Sequence, residues 1–270
     1  MISLYPLKKF KYPVVAECIS PDVFRGKKLE ETAVLEVWEG NKRKKLEELF
    51  KLEETKGPDD AITIQGDVNR VKRIGFGMAS GELFIIGDAG MHLGEEMKGG
   101  KIRVNGDAGS WAGSMMKGGE IDIRGNAGDY LGSPYRGSSQ GMSGGRMTVH
   151  GNAGSEIGAY LKKGTIKICG NVGQFAGLRM QGGTIYVQGD CDGRVGACMR
   201  SGKIIVSGFL ASILPTFTID GLKEKVKVEE DETVGGGFYV FLGDLVEDGR
   251  GKLYVSRKKN SHLSHYERLL

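Results

Sequence analysis

Apolar and polar residues alternate along this chain in short bursts, and the bursts recur at a fixed distance. Gly81-ELFII-Gly87-DAG, Gly100-KIRVN-Gly106-DAG, Gly119-EIDIR-Gly125-NAG, Gly145-RMTVH-Gly151-NAG, Gly164-TIKIC-Gly170-NVG and Gly183-TIYVQ-Gly189-DCD superimpose, and Gly202-KIIVS-Gly208 closes the series. The starts at 81, 100, 119, 145, 164, 183 and 202 lie 19 residues apart, except for one step of 26 that is a repeat plus a seven-residue insertion. A degenerate first copy lies at Asp60-AITIQ-Gly66. The third and fifth residues of each unit are apolar: Leu83/Ile85, Ile102/Val104, Ile121/Ile123, Met147/Val149, Ile166/Ile168, Ile185/Val187 and Ile204/Val206. The residues between them are mostly polar, which predicts a strand with one buried and one wet face.

A unit this short cannot bury its own apolar face, so successive units must stack. The pattern predicts an all-β chain: a single-stranded parallel β-helix of about eight 19-residue coils over residues 60–208. Left-handed β-helices use a hexapeptide repeat, and nineteen is not a multiple of six, so a right-handed winding is expected. Inner positions also recur as Ala89/Ala108/Ala127/Ala153, Leu93/Leu131/Ile157/Val195 and Met78/Met97/Met116/Met142/Met180/Met199. An Asp or Asn after each corner glycine suits a tight turn. On the wet face Glu82, Lys101, Glu120 and Arg146 occupy one position in successive units, where alternating charges would pair.

Residues 1–59 do not repeat and are expected to cap the N-terminal end, with a strand over 33–40 and a short amphipathic helix over 44–54. Residues 209–270 are expected to form a C-terminal arm or cap with strands. Their aromatics Phe238, Tyr239, Phe241 and Tyr254 suit an internal cap and a clasp on another subunit equally.

Composition narrows the choices. Glycine is abundant, 45 of 270 residues, but with only 6 prolines and a 19-residue period it is not collagen-like. A net charge of +4 is mild, and the basic run Lys42–Lys45 is followed at once by Glu47 and Glu48. No nucleic-acid partner is expected. Four cysteines form no C-x-x-C pair, and no apolar run approaches the roughly 20 residues of a membrane span. A cytoplasmic, membrane-free location is the expectation.

Chemistry-bearing motifs are sparse. No phosphate-binding glycine loop or nucleophile elbow occurs. His92 falls at an outer position and His150 on the wet strand face beside Cys169, both expected to be inert. His262 and His265 are expected in a loose tail. No catalytic, cofactor-binding or metal-ligating residue is assigned. The insertion Ser133–Met142 is a surface loop carrying Tyr135 and Arg136, residue types that dominate interface energetics. The candidate residues for contact with another subunit are therefore Tyr135, Arg136, Phe238, Tyr239, Phe241 and Tyr254.

The pattern G-x-x-M-x-x-G-x-[IL]-x-[IV]-x-G, at Gly75-FGM-ASG-ELFII-Gly87 and Gly113-SMM-KGG-EIDIR-Gly125, resembles the β-helix of the glutamate synthase C-terminal region. Together with the tail Phe238-YVFLGDLVEDGRGKLYVSRKKNSHL, the chain is more similar to the C-subunit family of formylmethanofuran dehydrogenase. That resemblance implies a scaffold subunit of a complex that reductively fixes CO2 onto methanofuran. It implies tungsten- or molybdenum-pterin, iron–sulfur clusters and a dinuclear metal site in pterin-binding, ferredoxin-like and amidohydrolase-like partner subunits, and no cofactor in this chain. A glutamate-synthase-type subunit in nitrogen metabolism and the C subunit of a formyltransferase/hydrolase complex are the alternatives.

Overall fold

Each alternating burst is a strand, and the equal spacing sets the strands side by side. In the computed structural model, which describes residues 1–270, the chain opens with β1 (Ile2–Pro6), β2 (Val14–Val15), one-turn helices α1 (Pro21–Phe24) and α2 (Leu29–Ala33), β3 (Glu36–Glu39), β4 (Lys42–Lys45), β5 (Phe50–Glu54), β6 (Ala61–Gln65) and β7 (Val71–Lys72). The repeats supply β8 (Glu82–Ile86), β9 (Lys101–Val104), β10 (Glu120–Ile123), β11 (Arg146–Val149), β12 (Thr165–Ile168), β13 (Gln181–Val187) and β14 (Ser201–Val206). The C-terminal segment adds β15 (Thr218–Lys227), β16 (Thr233–Gly243), β17 (Gly251–Ser256) and a 3-10 helix over Ser261–Leu269.

The chain is mainly β, dominated by one 13-stranded sheet in the order β15-β16-β17-β14-β13-β12-β11-β10-β9-β8-β6-β1-β5. Neighbours from β1 through β6 and the repeats to β17 are parallel. The register is the one the repeat dictates: Ile62, Leu83, Ile102, Ile121, Met147, Ile166, Ile185, Ile204 and Leu253 stand in one row. The insertion does not disturb it, because Glu120 pairs directly with Arg146. A second parallel row links Val68, Ala89, Ala108, Ala127, Ala153, Val172, Cys191 and Leu210. Both rows are buried, as are the six repeated methionines, and together they form one continuous apolar core.

The corner Asn/Asp residues do more than turn the chain. Asp88 Oδ1 accepts from the backbone N–H of Asp107 at 2.8 Å, Asp107 from Asn126 at 2.7 Å, Asn126 from Asn152 at 2.9 Å, Asn152 from Asn171 at 2.8 Å and Asn171 from Asp190 at 2.9 Å. Each side chain ties its repeat to the next, a net contribution of about 1 kcal/mol per bond. On the outer face Lys101 meets Glu120 at 3.6 Å, as the alternation predicts. Arg146 instead reaches Glu229 of the C-terminal segment at 2.5 Å.

The N-terminal segment departs from expectation. Residues 44–54 hold no α-helix; β4 ends there, a 3-10 turn covers Leu46–Glu48, and β5 follows. So short a segment makes no stable helix by itself, and β1 offers a row of antiparallel backbone partners instead. The strand expected over 33–40 is β3, in a small sheet ordered β4-β3-β2-β7.

At the other end, β15 and β16 form a long hairpin that folds back on the outer face of the main sheet. There Tyr186, Ile205 and Tyr254 are buried with Val226, Val228, Phe238 and Val240. Tyr239 and Phe241 point the other way, into the main core. Phe238, Tyr239, Phe241 and Tyr254 are therefore internal packing residues of this chain, and the structure corrects their expected role in contacting another subunit. The tail is not loose either: Leu263 is buried, Asn260 bonds Leu210 N, Gly208 O and Ser256 O, and His262 Nε2 lies 3.1 Å from Leu210 O. No helix is long and apolar enough to cross a membrane.

Candidate functional site

Every repeat turns one corner through a residue with a left-handed backbone. These are Arg73, His92, Trp111, Tyr130, Glu156, Phe175 and Arg194, with φ values of 63, 62, 61, 64, 57, 62 and 54°. For a bulky side chain this conformation costs about 1–2 kcal/mol, and glycine avoids the cost. The corner recurs from repeat to repeat, so the fold requires the backbone, whereas the side chain is free to vary. Where it is aromatic, stacking offsets the strain. His92 lies on Trp111 with ring centroids 5.4 Å apart and planes 5° from parallel, and Trp111 on Tyr130 at 4.4 Å and 14°.

The insertion folds over this ladder. Its base is fixed by Ser133, whose buried hydroxyl donates to Glu156 O at 2.5 Å and accepts from Ala159 N at 3.0 Å. Ser114 Oγ donates to Ser133 O at 2.7 Å. From that anchor Tyr135 reaches back to His92, 5.8 Å between centroids, and to Trp111, 6.4 Å, while keeping 54% of its surface exposed. Arg136 lines the same space as Tyr130 and Glu156, whose proximity favours its charged form. Trp111, Tyr130, Tyr135, Arg136, Glu156 and Tyr160 thus line a cleft of about 360 Å³ on the outside of the repeats. The Trp111 indole N–H is buried and has no hydrogen-bond partner.

Behind the ladder sits a buried charge cluster. Glu95 is 2% exposed and His92 9%. Glu95 Oε2 lies 2.9 Å from Arg73 Nε and 3.3 Å from His92 Nδ1, although neither contact is a well-directed hydrogen bond, and Arg73 also reaches Glu17. Burial works against ionisation of Glu95, but the neighbouring His92 and Arg73 outweigh it and hold the carboxyl below the usual range. His92 is therefore a buried member of this cluster and not the surface residue expected from the repeat. Because the folded carboxyl is depressed, its stabilisation is complete above the unfolded value of about 4.3 and is lost as pH falls through the folded one. Glu95→Gln should cost about 1–3 kcal/mol at pH 7 by leaving buried partners unsatisfied. In urea titrations that gap should begin to shrink only as pH falls below about 4.3; a gap that shrinks already between about pH 7 and pH 5 would refute this account of the cluster.

The remaining candidates lie apart from the cleft. His150 Nε2 is 3.3 Å from Asp122 Oδ2, so its near partner is a carboxylate of the adjacent strand. Burial pushes the Cys18 thiol up to about 11 and raises Cys191 too, which keeps both as thiols at neutral pH. No group of three or more His, Cys, Asp or Glu side chains is placed to hold a metal ion. The cleft offers π faces, one guanidinium, one carboxylate and hydroxyls. That set suits recognition by stacking and charge-assisted hydrogen bonds. Tyr135 and Arg136 were legible as interface types, but the ladder was missed. Its signal is a column in the repeat, Arg73-His92-Trp111-Tyr130-Glu156-Phe175-Arg194, in which no small residue occurs.

No protein-family model matches the chain. The C subunit of the tungsten-containing formylmethanofuran dehydrogenase 2 of Methanococcus maripaludis is 49% identical over 257 residues, covering 93% of this chain and 94% of that one. The chain belongs to the C-subunit family of formylmethanofuran dehydrogenase. The C subunit of the molybdenum-containing formylmethanofuran dehydrogenase 1 of Methanothermobacter marburgensis is 47% identical over 91 residues, 34% of this chain, and the match spans only 23% of that relative's length. Among solved structures, a chain of the formyltransferase/hydrolase complex from Methylorubrum extorquens, determined with methylofuran, superimposes with a TM-score of 0.84 at 29% identity, over 94% of this chain and 99% of that one. The relatives are thus subunits of an oxidoreductase, and the structural neighbour belongs to a multi-subunit assembly.

Proposed function

We propose that this chain is a non-catalytic scaffold subunit of a formylmethanofuran dehydrogenase complex, which reductively fixes CO2 onto methanofuran to give N-formylmethanofuran in the cytoplasm. The observation that carries the reading is the identity of 49% running through 93% of the chain. In this reading the repeats wind as a right-handed parallel β-helix, a stiff column whose two parallel rows and Asn/Asp ladder resist bending. The tungsten- or molybdenum-pterin, the iron–sulfur clusters and the dinuclear metal belong to pterin-binding, ferredoxin-like and amidohydrolase-like partners. The four free cysteines of this chain are dispersed along it, and no three or more His, Cys, Asp or Glu side chains are grouped to hold a metal ion. The Tyr135/Arg136 cleft is the contact through which a partner is held.

A second reading, the C subunit of a formyltransferase/hydrolase complex, is favoured by the structural neighbour at TM-score 0.84, but that identity is 29% against 49% for the dehydrogenase relative. Purification of the tagged chain at native levels distinguishes them. Under the dehydrogenase reading, pterin-binding and amidohydrolase-like subunits co-purify in stoichiometric amounts, and the preparation forms N-formylmethanofuran from CO2 with a low-potential reductant. Recovery of the chain alone, or of a complex that only transfers and hydrolyses formyl groups, would defeat it.

A further inference from the structure

The N-terminal end of the main sheet is open, and a groove runs beside it. β5 is the last strand and pairs only with β1. Leu7 N–H bonds Leu49 O at 3.0 Å and Thr55 N–H bonds Met1 O at 3.0 Å. Alternation in an antiparallel pair then turns the backbone of Lys51 and Glu53 toward β1, and that of Phe50, Leu52 and Glu54 outward. Between this edge and α2 lies a groove of about 440 Å³ with an apolar floor of Leu7, Leu29, Ala33, Val34, Phe50 and Leu52. Leu7 is 56% and Val34 47% exposed, so the groove is unfilled by this chain.

Its charge is opposite to that of the molecule. Although the chain carries +4, the segments that build the groove, 29–33 and 46–54, hold six glutamates against Lys51, with Lys45 at their border meeting Glu47 at 3.6 Å. Lys51 is itself paired with Glu53 at 2.7 Å. Glu30 and Glu47 line the groove directly. An unpaired edge selects an extended segment, the apolar floor selects side chains that alternate, and the acidic rim selects Lys or Arg on the outward positions.

We propose that this groove receives a basic, amphipathic extended segment of a partner subunit, which adds a strand to β5. The proposal rests on the reading of the chain as a subunit of a larger complex and names the surface by which one partner is joined to it. Lys51, Glu53 and Glu54 on the strand also shield an open edge from aggregation; if shielding were their only role, the groove would stay empty in the complex.

The test is made on the purified, assembled complex. Photo-crosslinking p-benzoylphenylalanine is placed at Val34, and a control at Val246, which is 77% exposed on the C-terminal side. The expected result is a single partner-subunit peptide, rich in Lys or Arg, attached at position 34. Glu30→Lys with Glu47→Lys should weaken association at least about tenfold and remove its salt dependence, with the melting temperature of the free chain unchanged. An intact complex without an adduct at position 34, an adduct to a second copy of this chain, or unchanged affinity after charge reversal would overturn the groove assignment alone. Failure of any complex to form would overturn the subunit reading, and this proposal with it.

Discussion

Ile121→Ala should lower unfolding stability by about 2–5 kcal/mol, the range for emptying a core site that cannot collapse. Ile121 is fully buried and stands between Ile102 and Met147 in the central row. Its Cδ1 reaches the corners of two repeats, 2.7 Å from where a Cβ on Gly94 would lie and 3.4 Å from one on Gly113. The flanking strands cannot close on the cavity, because hydrogen bonds to β9 and β11 fix their spacing at roughly 4.8 Å. Asp122→Ala, one residue on and facing outward, should cost under about 1 kcal/mol. Gly119→Ala gives a second check on the same stack. At φ +88° an added Cβ would stand 2.8 Å from Gly100 O and 2.7 Å from Met97 Cε, so the strand must shift as well as strain. Equilibrium urea unfolding of the three variants measures these differences. Similar losses for Ile121→Ala and Asp122→Ala would mean that the row is not a packed core.

Most of this stack is written in the repeat. Alternation fixed the faces and the 19-residue step fixed the register, since a one-residue slip would turn every inner side chain outward. What the repeat could not specify is where non-repeating chain lies. The fourth strand position runs Arg103, Asp122, Thr148, Lys167 and then Tyr186 and Ile205. That change from polar to apolar marks the area covered by the β15–β16 hairpin, and it explains why Phe238 and Tyr254 turn inward against this chain. At the N-terminus, Leu46, Leu49, Phe50 and Leu52 satisfy a helical and an extended pattern equally. The deciding factor was the free edge of β1, a tertiary partner invisible in a local window. The cleft was half legible. Tyr135 and Arg136 stood out by type, whereas the Trp111–Tyr130 stack depends on a left-handed corner that no single residue announces.

That corner also separates the cleft's role from its architecture. Trp111→Gly keeps the backbone at ease, since glycine adopts φ near 61° without strain, and removes the indole from the floor on which Tyr130 and Tyr135 rest. If the cleft holds a partner subunit, the loss should be that of an interface hot spot, at least about 2 kcal/mol or roughly thirtyfold in affinity. Phe175→Gly is the matched control. Phe175 occupies the same corner further along the column, with φ 62° and Arg194 over its ring at 5.1 Å, but it does not line the cleft. Both variants should still fold and melt cooperatively, whereas only Trp111→Gly and Tyr135→Ala should release the partner in titrations with purified subunits. The asymmetry decides the matter, because a purely architectural ladder predicts that both corners behave alike. Equal affinities for the two glycine variants would leave the aromatic ladder as a clamp between repeats and move the partner's docking point elsewhere on the column.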